Sequence, residues 1–134
     1  PMPADVVDWL GAFVDLQSRV GANNRAMNDL QERIVAAREQ PSAYLDEIRE
    51  VRNDFSSADG PYGFRTRFPR FPDVRVLNER ISAWAESALT AQDLYIRYLE
   101  TGELALYDQA DELRIASNAE WRAIQDVATG FLLP

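Results

Sequence analysis

The sequence predicts an all-α fold: an up-down four-helix bundle with one long, irregular, Arg/Phe-rich crossover loop between helices 2 and 3. Apolar residues recur in steps of three, four and seven through four stretches of the chain, which is the period of one face of an α-helix. Helix breakers gather instead in one segment, Gly60 to Asp73, which holds three of the seven prolines and two of the six glycines. Outside that segment the chain shows no apolar–polar alternation of the kind a half-buried strand requires. With 134 residues, a single helical-bundle domain over 1–134 is expected, burying about two-thirds of the surface of the unfolded chain.

The first helix is predicted over about 4–40. Val6, Phe13, Val20, Met27 and Ile34 recur every seven residues, and Trp9, Leu16, Leu30 and Ala37 each follow one of them by three. Pro3 suits a first turn, where its missing N–H costs nothing. Asp15/Arg19 and Asp29/Arg33 are spaced i,i+4 with the acid on the N-terminal side, which marks a solvated face. The cluster Gly21, Ala22, Asn23, Asn24 holds poor helix formers and puts Asn23 on the apolar seam. The unbroken phase from Val20 to Met27 favours a continuous helix with a buried, register-fixing Asn over a break into two.

Pro41 ends or kinks that helix. A second, short helix over about 42–57 follows, with Tyr44, Leu45, Ile48, Val51 and Phe55 as its stripe. The third runs over about 73–101 on Val74, Leu77, Ile81, Trp84, Ala88, Ala91, Tyr95 and Tyr98, and Gly102 stands where a helix-ending glycine belongs. The fourth covers about 103–129, with Leu106, Ala110, Leu113, Ala116, Ala119 or Glu120, Ile124 and Val127 as its stripe and Gly130 as its stop. At 1.5 Å per residue, helix 1 would be roughly 50 Å long and helix 2 only about 25 Å. Loop 58–72 is therefore expected to fill the uncovered groove with Tyr62, Phe64, Phe68 and Phe71. The same layout gathers Trp9, Trp84 and Trp121 with the loop phenylalanines and Phe131 at one pole.

Composition narrows the chemistry. There is no cysteine and no histidine, which excludes Ser-His-Asp and Cys-His triads, Cys/His zinc sites and an imidazole base. All 14 basic residues are arginine, so Schiff-base chemistry and a P-loop lysine are excluded too. No cofactor is expected. The net charge of −8 repels polyphosphate, making nucleic acid an unfavourable partner. No apolar run approaches the length of a membrane span. A cysteine-free chain suits either side of a membrane, and a signal or anchor removed ahead of Pro1 would leave no trace.

Against this acidic background, residues 61–75 carry four arginines and one acid. Arg65, Arg67, Arg70 and Arg75 with Tyr62, Phe64 and Phe68 form the candidate binding site, for an acidic protein or a small anionic ligand. The competing reading is that the aromatics plug the groove and the arginines pair with the bundle's own carboxylates. Tyr95, Tyr98 and Trp84, at helical spacing, read as core, with pocket lining as the alternative. Asp46, Glu47, Glu50, Asp108, Asp111 and Glu112 are spaced so that several share a helical turn. The runs Asp46-Glu47-Ile48-Arg49-Glu50 and Asp108-Gln109-Ala110-Asp111 resemble the acid-rich pattern of all-α nucleotide pyrophosphatases, although the spacing between them differs from that family's. That resemblance implies Mg²⁺ or Mn²⁺ held by carboxylates. The hairpin Tyr98-Leu99-Glu100-Thr101-Gly102-Glu103 is similar to hairpins of bacterial helical-bundle sensor and lipoprotein domains. The expected function is thus a non-enzymatic bacterial binding module. The alternatives are a carboxylate-metal hydrolase and a homo-oligomerisation module burying Phe131, Leu132 and Leu133.

Overall fold

The computed structural model describes residues 3–36, 41–67 and 74–130. It is all-α: helix α1 (Ala4–Ala36), a 3₁₀ turn (Pro41–Tyr44), α2 (Leu45–Ser56), the single turn α3 (Phe64–Arg67), α4 (Arg75–Thr101) and α5 (Leu104–Gly130). No strand occurs among the described residues.

Helix α1 is continuous through Gly21–Asn24, and its buried residues are those of the seven-residue seam: Val6, Trp9, Leu10, Phe13, Leu16, Val20, Asn23, Met27 and Leu30. The i,i+4 pairs form on its outer face, Arg19 to Asp15 at 2.9 Å and Arg33 to Asp29 at 3.3 Å. Pro41 opens a 3₁₀ turn, so the α-helical part of the second element is only 12 residues long, Leu45 to Ser56. Gly102 ends α4 in the left-handed region at φ 75°, donating its N–H to the Tyr98 carbonyl at 2.7 Å. Without a Cβ this conformation carries no steric cost.

Directions follow from which residues meet. Trp84 stacks on Trp121 at 4.4 Å between ring centroids, while Tyr95 and Tyr98 meet Tyr107, so α4 and α5 run antiparallel. Trp9 Nε1 donates to Asn78 Oδ1 and Gln92 Nε2 donates to Asn23 Oδ1, both across 69 residues of chain. A constant offset means that α1 and α4 run parallel. Helix α2 opposes both: Arg33 pairs with Glu47, Arg52 with Asp93 at 2.8 Å, and Arg49 with Glu100 at 3.3 Å.

Two buried apolar clusters form. One contains the aromatic chain Trp9, Phe13, Trp121, Trp84 and Phe55, together with Phe64. The other contains Met27, Leu30, Ile48, Tyr95, Ile96, Leu99 and Ala110. The tryptophan pole is thus formed; Phe68, Phe71 and Phe131 lie outside the described residues.

Two expectations need correction. The crossover is not free of helix, because Phe64–Arg67 makes one turn in which the Phe64 N–H bonds the Gly60 carbonyl and the Thr66 N–H bonds the Gly63 carbonyl. No breaker separates Gly63 from Phe68, so one turn fits. The buried face of α5 keeps Leu106, Ala110 and Ile124 of the predicted stripe but departs from it elsewhere. It runs Leu106, Ala110, Ser117, Trp121, Ile124 and Ala128, whereas Ala116, Ala119 and Val127 are exposed and Leu113 is half-buried. The predicted stripe preferred alanine to serine; burying Trp121 turns the helix so that Ser117 faces inward. Gly130 is the last residue of α5, one beyond the expected end.

The described part of the crossover packs tightly. Phe64 is 2% exposed, and a Cβ on Gly60 would collide with the carbonyl oxygens of Asp54 and Phe55, the latter 2.7 Å away. Phe64→Ala is expected to cost about 3–5 kcal/mol, and Gly60→Ala more than about 1 kcal/mol. Urea unfolding followed by tryptophan fluorescence measures both.

Candidate functional site

The described side chains of the crossover are engaged with the bundle. Arg65 reaches Glu86 on α4 at 2.7 Å, donates from Nε to the Tyr62 carbonyl at 3.2 Å, and lies over the Tyr62 ring at 3.8 Å. Tyr62 packs against the larger core cluster and Phe64 belongs to it. Arg75 is exposed, 4.0 Å from Glu79. Of the other predicted site residues, Phe68 and Arg70 lie outside the described residues, and for Arg67 the backbone alone is described, as the last residue of α3. Arg65, Tyr62 and Phe64 are therefore brought together: Phe64 is buried in the larger core cluster, Tyr62 packs on it, and Arg65 is paired with Glu86.

The acidic residues do not assemble. Asp46, Glu47, Glu50, Asp108 and Glu112 are exposed on α2 and α5, and Asp111 is half-buried. Glu47 is bound to Arg33 and Asp111 to Arg114. Among the described residues no three acidic side chains are grouped so that they could hold a metal ion.

A different site is built where three helix faces converge. Asn24, Met27, Asn28 and Gln31 of α1, Trp84, Ala88, Ala91, Gln92 and Tyr95 of α4, and Tyr107, Ala110, Asp111, Arg114, Ser117 and Asn118 of α5 line an open cleft of about 250 Å³, with Phe55 of α2 at its edge. Each set is spaced to fall on one helical face. Its cause is a change of side-chain size along the bundle. At one level α1 and α5 are held apart and filled by rings, with Phe13 against Trp121 at 5.6 Å and Trp121 against Trp84. At another, Tyr95 and Tyr107 supply bulk, 6.3 Å between centroids. Between these layers stand Ala88, Ala91 and Ala110, too short to span the same distance.

The cleft lies at the junction of the two apolar clusters, and polar groups collect there. Asn23 and Ser117 are the buried polar residues among those described, at 8% and 4% exposure. Asn23 donates to the Val51 carbonyl at 3.1 Å and accepts from Gln92 at 2.9 Å. Gln92 Oε1 and Ser117 Oγ are buried without any hydrogen-bond partner, and both residues line the cleft. A buried, unpartnered polar atom costs about 1–3 kcal/mol, so this layer is held at a cost in stability. Charge is balanced at the wall, since Arg114 is held by Asp111 at 2.7 Å.

Of these residues, sequence reasoning had marked Trp84 and Tyr95 as core with pocket lining as the alternative. It had missed Gln92, Ser117 and the carboxamides of Asn24, Asn28, Gln31 and Asn118. One signal was available: Ala110, Ser117 and Ile124 recur every seven residues, so Ser117 was legible as a polar member of a core position. No helix among the described residues is long and apolar enough to cross a membrane. Comparison with protein-family models, curated proteins and solved structures yields no match.

Tyr95 provides a spectroscopic marker of the cleft. Burial first, then the neighbouring Tyr107 and Tyr98, push its phenol up to about 12, from an ordinary value of about 10. The unfolded chain therefore loses this proton before the folded one, and the stability that Tyr95 contributes is complete below pH about 10 and is lost as pH rises through about 12. Absorbance titration is expected to show one late-ionising tyrosine, absent in Tyr95→Phe. The same variant should lose stability less steeply with pH above about 10.

Proposed function

We propose that this chain is a binding module, an up-down-up-down four-helix bundle of α1, α2, α4 and α5 that holds a small molecule in the cleft between α1, α4 and α5. The topology draws support from the antiparallel and parallel pairings of ring, amide and ion-pair partners described above. The ligand reading rests on one observation: an open cavity of about 250 Å³ between three helices, lined by aromatic, alanine and carboxamide side chains. Open, partly apolar concavities with a few convergent polar groups are the ordinary form of small-molecule sites.

On this reading the module acts by capture rather than by chemistry, and the crossover's part is structural. Phe64 closes the bundle beneath the tryptophans, and Arg65 locks that closure to Glu86. Binding would then be read out through the helices themselves, because an occupant bridges α1 and α5 where side chains now leave a gap.

The test is a fragment screen by ¹H–¹⁵N correlation spectroscopy, with Trp84 and Ser117 as reporters. Binding fragments are expected to shift the Trp84 indole and the backbone amides around Ser117 and Gln92. Ala88→Phe, which fills the cleft, is expected to abolish those shifts while the protein stays folded. Shifts confined to residues 60–67 would move the site to the crossover, and an absence of shifts at the cleft across the whole screen would overturn the reading.

A further inference from the structure

We propose that the seam between α1 and α5 docks an amphipathic helix of a protein partner, one whose polar face is basic. The inference goes beyond small-molecule capture and does not depend on it, because it rests on the residues that flank the cleft.

The cleft is the middle of a longer groove. On α1, Asn28 lines the cleft, and Val7, Val14, Gly21, Asn28 and Val35 stand seven apart. Residues at that spacing stay close to one edge of a helix, here the edge beside α5. On α5, Tyr107, Asp111 and Asn118 line the cleft, and Leu104 and Ile115 interleave with them in steps of three and four, which keeps them on the same face. Phe13 meets Trp121 at one level and Met27 shares the cleft with Tyr107 at another, so the two edges run side by side in opposite directions. From Val7 to Val35 the groove extends about 40 Å. The backbones of α4 and α5 run close together, whereas those of α1 and α5 hardly approach within 8 Å.

Apolar side chains are left exposed along both edges. Val7, Val14, Val35, Leu104, Tyr107 and Ile115 are between 42% and 86% exposed, and they are six of the eight large apolar side chains exposed among the described residues. Scattered singly, such residues need no explanation; gathered along one groove, they mark an interaction surface. Two apolar edges over a floor of alanines suit a helix, whose stripe at i, i+3, i+4 and i+7 would run down the groove.

Charge selects the partner. Beside Leu104 and Tyr107, within a turn of the edges, stand Glu32 of α1, Glu103 at the start of α5, Asp108 and Glu112, all exposed. Arg25 of α1 lies at the same level and does not balance the four. A second copy would bring its own net charge of −8 to this surface, so a like-charged chain is repelled and a basic one attracted.

The test titrates the ¹⁵N-labelled protein with a synthetic leucine–lysine helix of about 18 residues, long enough to cover about 27 Å of the groove. The comparators are a leucine–glutamate helix with the same stripe and a leucine–lysine peptide of equal composition whose leucines are spread around the helix. The leucine–lysine helix is expected to shift amides around Val14 and Ile115 and to bind at least about tenfold tighter than either comparator. Val14→Ser combined with Ile115→Ser, both surface changes, is expected to weaken it about tenfold. Val76→Ser combined with Val127→Ser is expected to leave binding unchanged: these exposed valines lie off the seam, on α4 and on the side of α5 where Glu120 pairs with Arg80. Equal losses in the two double variants, or equal binding of the leucine–glutamate helix, overturn the proposal. So does a concentration-dependent dimer that the Val14/Ile115 variant dissolves, which would give the seam to a second copy. If no peptide binds while fragments still shift Trp84 and Ser117, helix docking fails and small-molecule capture stands.

Discussion

A single side chain ties three helices together at the middle of the molecule. Asn23, on the apolar seam of α1, donates to the Val51 carbonyl of α2 and accepts from Gln92 of α4. A buried carboxamide without partners would be destabilising, so the three helices are held in the one axial alignment that satisfies it. The parallel offset of 69 residues between α1 and α4 recurs at Trp9 and Asn78, near the other end of the contact. Two hydrogen bonds at the same offset define a register, which apolar packing alone specifies poorly because one leucine-sized side chain fits where another does.

The surface repeats the register at lower cost. Arginine–carboxylate pairs cross several helix interfaces: Arg33–Glu47, Arg52–Asp93, Arg80–Glu120 and Arg65–Glu86. The Arg52 guanidinium, hydrogen-bonded to Asp93, holds its proton even more firmly than usual. Each such exposed or half-exposed pair contributes about 0–1 kcal/mol. Their value lies in direction: a planar fork accepts its carboxylate in few geometries, so the pairs disfavour slipped alignments more than they stabilise the correct one.

The cleft follows from the same arrangement. Once Asn23 fixes α1 against α4, and the stacked Trp84 and Trp121 fix α5 against α4, the separation of α1 and α5 is no longer free to adjust. Where Ala88, Ala91 and Ala110 occupy the facing positions, the helices cannot collapse onto them. Polar atoms then meet at the boundary between two apolar clusters, with one end of Gln92 satisfied by Asn23 and the other buried without a partner. The shape of the cleft is thus held by contacts within the frame itself, which is what the proposed capture of a small molecule would draw on.

Much of the helical layout was legible in the sequence for a local reason. The seam of α1, the buried Asn23, the short α2 and the glycine stop at Gly102 depend on spacing and backbone preference within a few residues, and these are printed in the order of the chain. The burial of Phe64 was legible too, because helix lengths follow from residue counts. The cleft was not. The seven-residue spacing of Ala110, Ser117 and Ile124 hints that Ser117 faces inward, but the size of Trp121 decides which way α5 rolls, and Gln92 lies off the predicted stripe of its helix until Asn23 claims its amide. What the sequence determined by itself was which segments coil and which faces are apolar, through period and turn chemistry. What only the tertiary structure decided was where small residues on three different helices fall at one level, because a void is a property of the distances between helices and no single segment encodes it.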